Sequence, residues 1–249
     1  MGASLRVGRV FGIPIEVNAS WIVIFLLLTF VLAQEFGSPN LGWPVVQRWS
    51  LAAAIAVLFF LSVLVHELSH SVLAQRKGIP VHGITLFIFG GVSRLGQEPD
   101  RPATEFAVAV VGPLTSVLLA AVFGGTWYLL GNGQSAVEVV LFLLAWSNLS
   151  LGVFNILPGY PLDGGRMLRA LVWGLTGNHR KATMVATRSG QTIGGLTVLM
   201  GLALGIFVDV VNGVWIVFIG AFLFSVATAS YRQERSRDNL TGADQVPAP

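Results

Sequence analysis

The chain has 249 residues, 54% of them hydrophobic and only 11% charged, with a mean hydropathy of +0.74. A soluble domain carries about 25% charged residues, so this composition excludes an ordinary water-soluble protein and implies one membrane-embedded domain. There is no cysteine, which excludes disulfides, cysteine metal ligands and a thiol nucleophile, and the formal charge of +3 is informative only through its distribution.

The N-terminal stretch LRVGRVFGIPIEVNAS alternates apolar and polar residues around Gly12 and Pro14, the pattern of a short hairpin rather than of a cleaved signal peptide. Six apolar stretches follow, near 19–36, 49–75, 105–130, 136–157, 191–209 and 212–231. Each comes close to the roughly 20 residues that a bilayer demands. Between the second and third, VHGITLFIFGGVSRLGQEPDRP carries β-branched and aromatic residues broken at Gly90–Gly91 and reads as strands. Backbone with unpaired edge groups cannot face lipid, so this segment belongs in a protein groove or a watery cavity, where a free edge accepts an extended peptide. The fourth stretch breaks at NILPGYP. Residues 235–249 lose all apolar periodicity and are expected to form a disordered tail after a membrane domain spanning 1–234.

The basic residues set the orientation. With six spans, every Lys and Arg of the 15 except Arg48 falls on one side. By the positive-inside rule that side, with both termini, is cytoplasmic. The fold class is thus an all-α membrane protein of six transmembrane helices, with an N-terminal β-hairpin and a strand region between helices two and three.

The chemistry concentrates in His66-Glu67-Leu68-Ser69-His70 within the second stretch. Residues four apart share a helix face, so His66 and His70 present two imidazoles to one metal ion, while Glu67 reaches a water beside it. A zinc ion brings the pKa of such a water toward about 7, and Glu67 accepts the proton. Ionisable groups in an apolar span cost about 3 kcal/mol each even on mild scales, and a metal compensates for them.

A catalytic zinc has three protein ligands and an open position. His82 and His179 sit in polar connections, which leaves Asp163, in FNILPGYPLDGGRMLRAL, as the candidate. The prolines and glycines around it let the chain turn sharply and bring a carboxylate inward. On spacing alone, Asp163 is either the third ligand or the cap of the helix that follows. The topology puts it at the same side and depth as the histidines.

At these residues the sequence resembles the site-2 protease family of intramembrane metalloproteases. The resemblance rests on HELSH, FNILPGYPLDGGR, FGGVSRL and VVGPLTS and covers about residues 5–230. It is nearest to the six-span subgroup that often carries paired CBS domains after the last span; no CBS-like sequence occurs before Pro249. The resemblance implies one zinc ion held by His66, His70 and Asp163, with Glu67 as general base. It implies that Asn155 helps hold the substrate carbonyl or its oxyanion, although a helix-end hydrogen bond explains that residue equally well. Asn148 is a further candidate for polar lining. The strand ending at Gly90 and Gly91 is implied to bind unwound substrate by edge pairing. Many members carry Asn where this chain has Ser116, which leaves the role of that position open.

The expected activity is hydrolysis of peptide bonds in transmembrane or membrane-proximal segments, in the manner of regulated intramembrane proteolysis. The expected partners are transmembrane protein substrates, such as membrane-anchored regulators of transcription factors, and the bilayer. The expected location is the plasma membrane of a prokaryote. A metal-ion transporter and a catalytically inactive membrane scaffold are the competing classes. Nucleic-acid binding is not expected, because membrane orientation accounts for the basic residues.

Overall fold

A computed structural model describes residues 4–37, 43–131 and 135–243, with side chains described as far as 236. The chain divides into two compact units, residues 1–98 with 111–153 and residues 99–110 with 154–249.

The first unit opens with two strands, β1 (Ser4–Val10) and β2 (Ile13–Asn18), paired antiparallel. The connecting Phe11 and Gly12 both have positive φ, at 51° and 78°. A two-residue hairpin loop needs that geometry to match the strand twist. The Asn18 side chain accepts from the Ser20 backbone N–H at 3.0 Å and caps α1 (Ala19–Glu35). Helix α2 (Val45–Arg76) is long and apolar and leads to a second hairpin, β3 (Val81–Phe87) and β4 (Gly90–Leu95). The two hairpins join through a parallel pairing of β2 with β3, Ile15 opposite Ile84, into one sheet of order β1-β2-β3-β4. The buried Ile13, Ile15 and Ile84 pack on Leu64, Leu68 and Val72. Those three leucine and valine positions are four apart, so one face of α2 carries the sheet. A second core, Ala33, Phe36, Ala52 and Ile55, joins α1 to α2.

Helix α3 (Pro102–Leu129) belongs to the second unit as far as residue 110 and to the first from residue 111, and α4 (Ala136–Ile156) belongs to the first unit as far as residue 153. The second unit contains a short amphipathic helix, α5 (Asp163–Thr176), and two long helices, α6 (His179–Phe207) and α7 (Val210–Ala243). Gly177, at φ 65°, ends α5 in the left-handed conformation that glycine tolerates. Helices α6 and α7 approach closely through small residues: a Cβ at Gly201 would lie 2.6 Å from the Val217 backbone nitrogen. Close backbone approach of this kind replaces the missing hydrophobic drive between helices in lipid.

Among the described residues five helices are long and apolar enough to cross a membrane. The stretch at 19–36 forms α1, whose 17 residues span about 26 Å at 1.5 Å per residue, short of a hydrocarbon core of about 30 Å. Its start is fixed where β2 ends, at the Asn18 cap. The protein is mostly helical, and the expected hairpin and strand region join into one sheet. Downstream, α7 continues to Ala243, so residues 235–243 are helical. Continuing a helix already nucleated in an apolar segment costs less than starting one. Residues 244–249 of the expected tail lie outside the described residues.

Candidate metal centre

His66 and His70 are buried, 2% and 4% exposed, on the same face of α2. Their ring centroids are 4.9 Å apart and their Nε2 atoms 3.2 Å apart. The Nδ1 of His66 lies 2.8 Å from Ser116 Oγ on α3. With Nδ1–H donating to that hydroxyl, the Nε2 lone pair of His66 faces His70, the tautomer a metal ligand requires. Two imidazole nitrogens facing each other in an apolar helix interior suit a shared cation. Gly112 on α3 keeps the space before them open: a Cβ there would lie 2.7 Å from His66 Nε2 and closer still to His70 Nε2. The donors, their burial and this cradle all fit a metal ion.

Glu67, half-buried, points toward β4. A Cβ on Gly91 would come within 2.6 Å of Glu67 Cγ, so only glycine lets strand and glutamate approach this closely. Two residues along, Ser93 Oγ lies 2.7 Å from Ser71 Oγ, and Ser71 is fully buried beside His70. Strand β4 therefore runs alongside the histidine turns of α2. It pairs with β3 alone in the described sheet, which makes it an edge strand. Gly90 has φ 119°, a conformation that a side chain would strain, and its nearest neighbour is Val63 on α2.

Asn148 on α4 is fully buried. Its Nδ2 donates to Ser62 Oγ at 3.2 Å and to the Leu144 carbonyl at 2.8 Å. Ser62 lies one turn before His66, so Asn148 is polar lining near the histidines. Gly152, one turn further along α4, abuts α3: a Cβ there would lie 3.4 Å from Ser116 Cβ. Asn155 is half-buried in the last turn of α4.

In the second unit Asp163 is the first residue of α5 and half-buried. The cap position is held by Leu162, which makes no side-chain capping bond. The turn before it is held by backbone. The Tyr160 N–H donates to the Ala186 carbonyl at 3.2 Å, and Leu162 N–H to the Gly159 carbonyl at 3.0 Å. Ser189 Oγ donates to the Pro158 carbonyl. Side chains at Gly164 and Gly165 would collide with the backbone of Ile156, Leu157, Gly159 and Tyr160, and one at Gly190 with Tyr160. Further along α5, the buried Arg169 donates from Nε to Oε1 of the fully buried Glu105 at 2.6 Å, and Nη2 contacts the same oxygen. That ion pair ties α5 to the first turn of α3 within this unit.

His82 is exposed on β3, and His179 packs edge-on against Trp173 with centroids 4.7 Å apart. The sequence reading did not assign Gly112, and it left Ser116 open. The only available sign was VVGPLTS itself, in which a glycine and a hydroxyl four residues apart share a helix face.

A protein rich in membrane-length helices, with a buried histidine pair suited to a cation and a carboxylate between the two, falls in the class of membrane metalloproteins. Residues 54–132 and 130–200 match Peptidase family M50, and the chain belongs to that family. It is 40% identical over 239 residues to Rip3 of Mycobacterium tuberculosis, covering 95% of this chain and 60% of that protein. It is 30% identical to the zinc metalloprotease MJ0392 of Methanocaldococcus jannaschii, covering 81% of this chain and 55% of the relative. The solved structure of a site-2 protease from Methanocaldococcus jannaschii superposes with a TM-score of 0.65 at 28% identity, covering 92% of this chain and 95% of that one. The chain spans about three fifths of the length of the curated relatives it matches.

Proposed function

We propose that this protein is an intramembrane zinc metalloprotease of the site-2 type, which hydrolyses peptide bonds in transmembrane or membrane-proximal segments of other membrane proteins. The observation that carries this reading is the buried His66–His70 pair, with Nε2 atoms 3.2 Å apart before an open cradle at Gly112 and with Glu67 between the two histidines. The resemblance in sequence implies Asp163 as the third ligand beside this pair, and relatives carry the name zinc metalloprotease. In this reading the three residues hold one zinc ion, which supplies Lewis acidity for amide hydrolysis. Glu67 accepts a proton from the attacking water and returns it to the leaving amine. Asn155 donates its amide N–H to the oxygen that gains charge.

The edge of β4 at Gly90 and Gly91 receives the unwound substrate as an added strand and brings its backbone beside Glu67. Residues 1–234 form the metalloprotease domain. The proposed topology has six crossings, with α1 as the shortest, and both termini in the cytoplasm of a prokaryotic cell. It is supported by the placement of every Lys and Arg except Arg48 on one side.

Substituting Glu67→Gln tests the function. The variant is expected to retain about one zinc per chain and to lose about 10²–10⁴-fold in cleavage of a membrane-tethered reporter. Cleavage at the wild-type rate would overturn the protease reading.

A further inference from the structure

Helix α6 changes chemistry along its length. Its first three turns carry Arg180, Lys181 and Arg188, whereas residues 193–207 include no charge at all. The helix is long and apolar enough to cross a membrane. The change of composition therefore marks where it leaves hydrocarbon for the headgroup layer. At that level there is a cavity of about 360 Å³ lined by Asn178, Arg180, Lys181, Met184, Val185 and Arg188. Among the described residues that line it, three are cationic, two are apolar and none is acidic.

The arrangement is ordered in advance. Met184 and Val185 lie three and four residues after Lys181 and four and three before Arg188, so the four share a helix face. The Asn178 side chain accepts from the Lys181 backbone N–H at 2.9 Å, which fixes the root of that lysine. Arg188 Nη2 donates to Tyr231 Oη at 3.3 Å, and its guanidinium carbon lies 5.7 Å from the centre of the Tyr231 ring. Arg188 is thus held against α7, with guanidinium donors to spare. Among the described residues, Lys181 makes no ion pair.

We propose that this cavity binds the phosphate group of an anionic phospholipid. Arg180, Lys181 and Arg188 surround the phosphate oxygens, and Met184 and Val185 lie against the glycerol and the first methylenes of the chains. Charge alone would suit any phosphate. The apolar residues, and the position at the start of a membrane-length helix, favour the lipid over the free ion.

The test uses the full chain purified in detergent and titrated with phosphatidylglycerol or phosphatidylcholine, with bound lipid counted by native mass spectrometry. One phosphatidylglycerol is expected to bind in preference to phosphatidylcholine. In the triple variant Arg180→Gln, Lys181→Gln, Arg188→Gln, its affinity should fall roughly a hundredfold, as for the loss of three cations near a headgroup. Removing Arg6, Arg9 and Arg76 instead lowers the net charge equally and is expected to leave that lipid bound. An equal fall in both triple variants, or no fall in the first, overturns the proposal. So does displacement of the lipid by an equimolar amount of inorganic phosphate, which would make the free ion the ligand. The single variant Lys181→Gln guards against misfolding. It should keep the wild-type Tm yet bind phosphatidylglycerol several-fold more weakly, and unchanged binding counts against the site.

Discussion

The two units hold their candidate ligands by different means. In the first, His66 and His70 owe their positions to helix periodicity, and a side-chain bond from His66 Nδ1 to Ser116 orients one of them. In the second, Asp163 is placed by backbone: a turn from Pro158 to Leu162 pressed on glycines at 164, 165 and 190. A side-chain device is specific and can be removed one bond at a time. A backbone device tolerates nothing larger than hydrogen, and it fails as a block.

This contrast predicts where substitutions will act. The largest effect is expected at Gly112→Ala. The new Cβ meets imidazole nitrogens rather than backbone, so it fills the space a metal needs without breaking the fold. Zinc should fall from about one per chain to near zero while Tm shifts little. Full zinc occupancy in this variant would mean that the cation sits elsewhere.

Gly190→Ala should do the reverse. Its Cβ would strike the carbonyl of Tyr160, with no flexible side chain to yield. Overpacking of this kind costs about 1–3 kcal/mol, so Tm should drop measurably and cleavage should fall with it. If stability is lost but zinc affinity and rate are untouched, the turn does not position Asp163, and the proposed ligand set is wrong there.

Ser116→Ala is expected to be milder. It removes one partner of His66 and leaves the ring, and loss of such an outer partner typically weakens metal affinity 10–100-fold. Competition with a zinc chelator reads this directly. An unchanged affinity would show that the helix alone orients His66, and the contrast between the units would lose its first half.

How far the sequence exposes this arrangement follows the range of the interactions. The histidine pair is local, four residues on one helix, and is plain in the sequence. The N-terminal hairpin is equally local, and its turn residues announce it. The parallel joining of β2 to β3 is not, because Ile15 and Ile84 are distant in sequence and hydropathy carries no pairing information. Ser116 and Gly112 were hidden for the same reason: they reach His66 from 50 and 46 positions away. Hydropathy alone does not give the length of the first helix, because α1 begins only after the Asn18 cap and stops at Glu35. The start of α6 is hidden from hydropathy, because its polar first turns, from His179, lie outside any apolar window.

The smallest expected effect lies on the sheet. Arg94 on β4 approaches Glu16 on β2 at 2.7 Å, and this hydrogen bond, aided by the charge of Arg94, holds the Glu16 carboxyl below its ordinary range. A carboxylate with a lowered folded-state pKa stabilises the protein above its unfolded value, near 4.3. That stabilisation is lost as pH falls through the lower, folded value. Arg94→Gln should therefore lower Tm slightly at pH 7, and the difference from the wild type should vanish on acidification. Arg94 projects from the same strand as Gly91, so its loss also tests whether β4 needs anchoring to serve as an edge. A variant with an unchanged KM for a transmembrane reporter would place the anchoring in the Ser71–Ser93 contact instead. A raised KM with unchanged zinc content would assign the strand to substrate and the histidines to metal, two roles on opposite sides of Glu67.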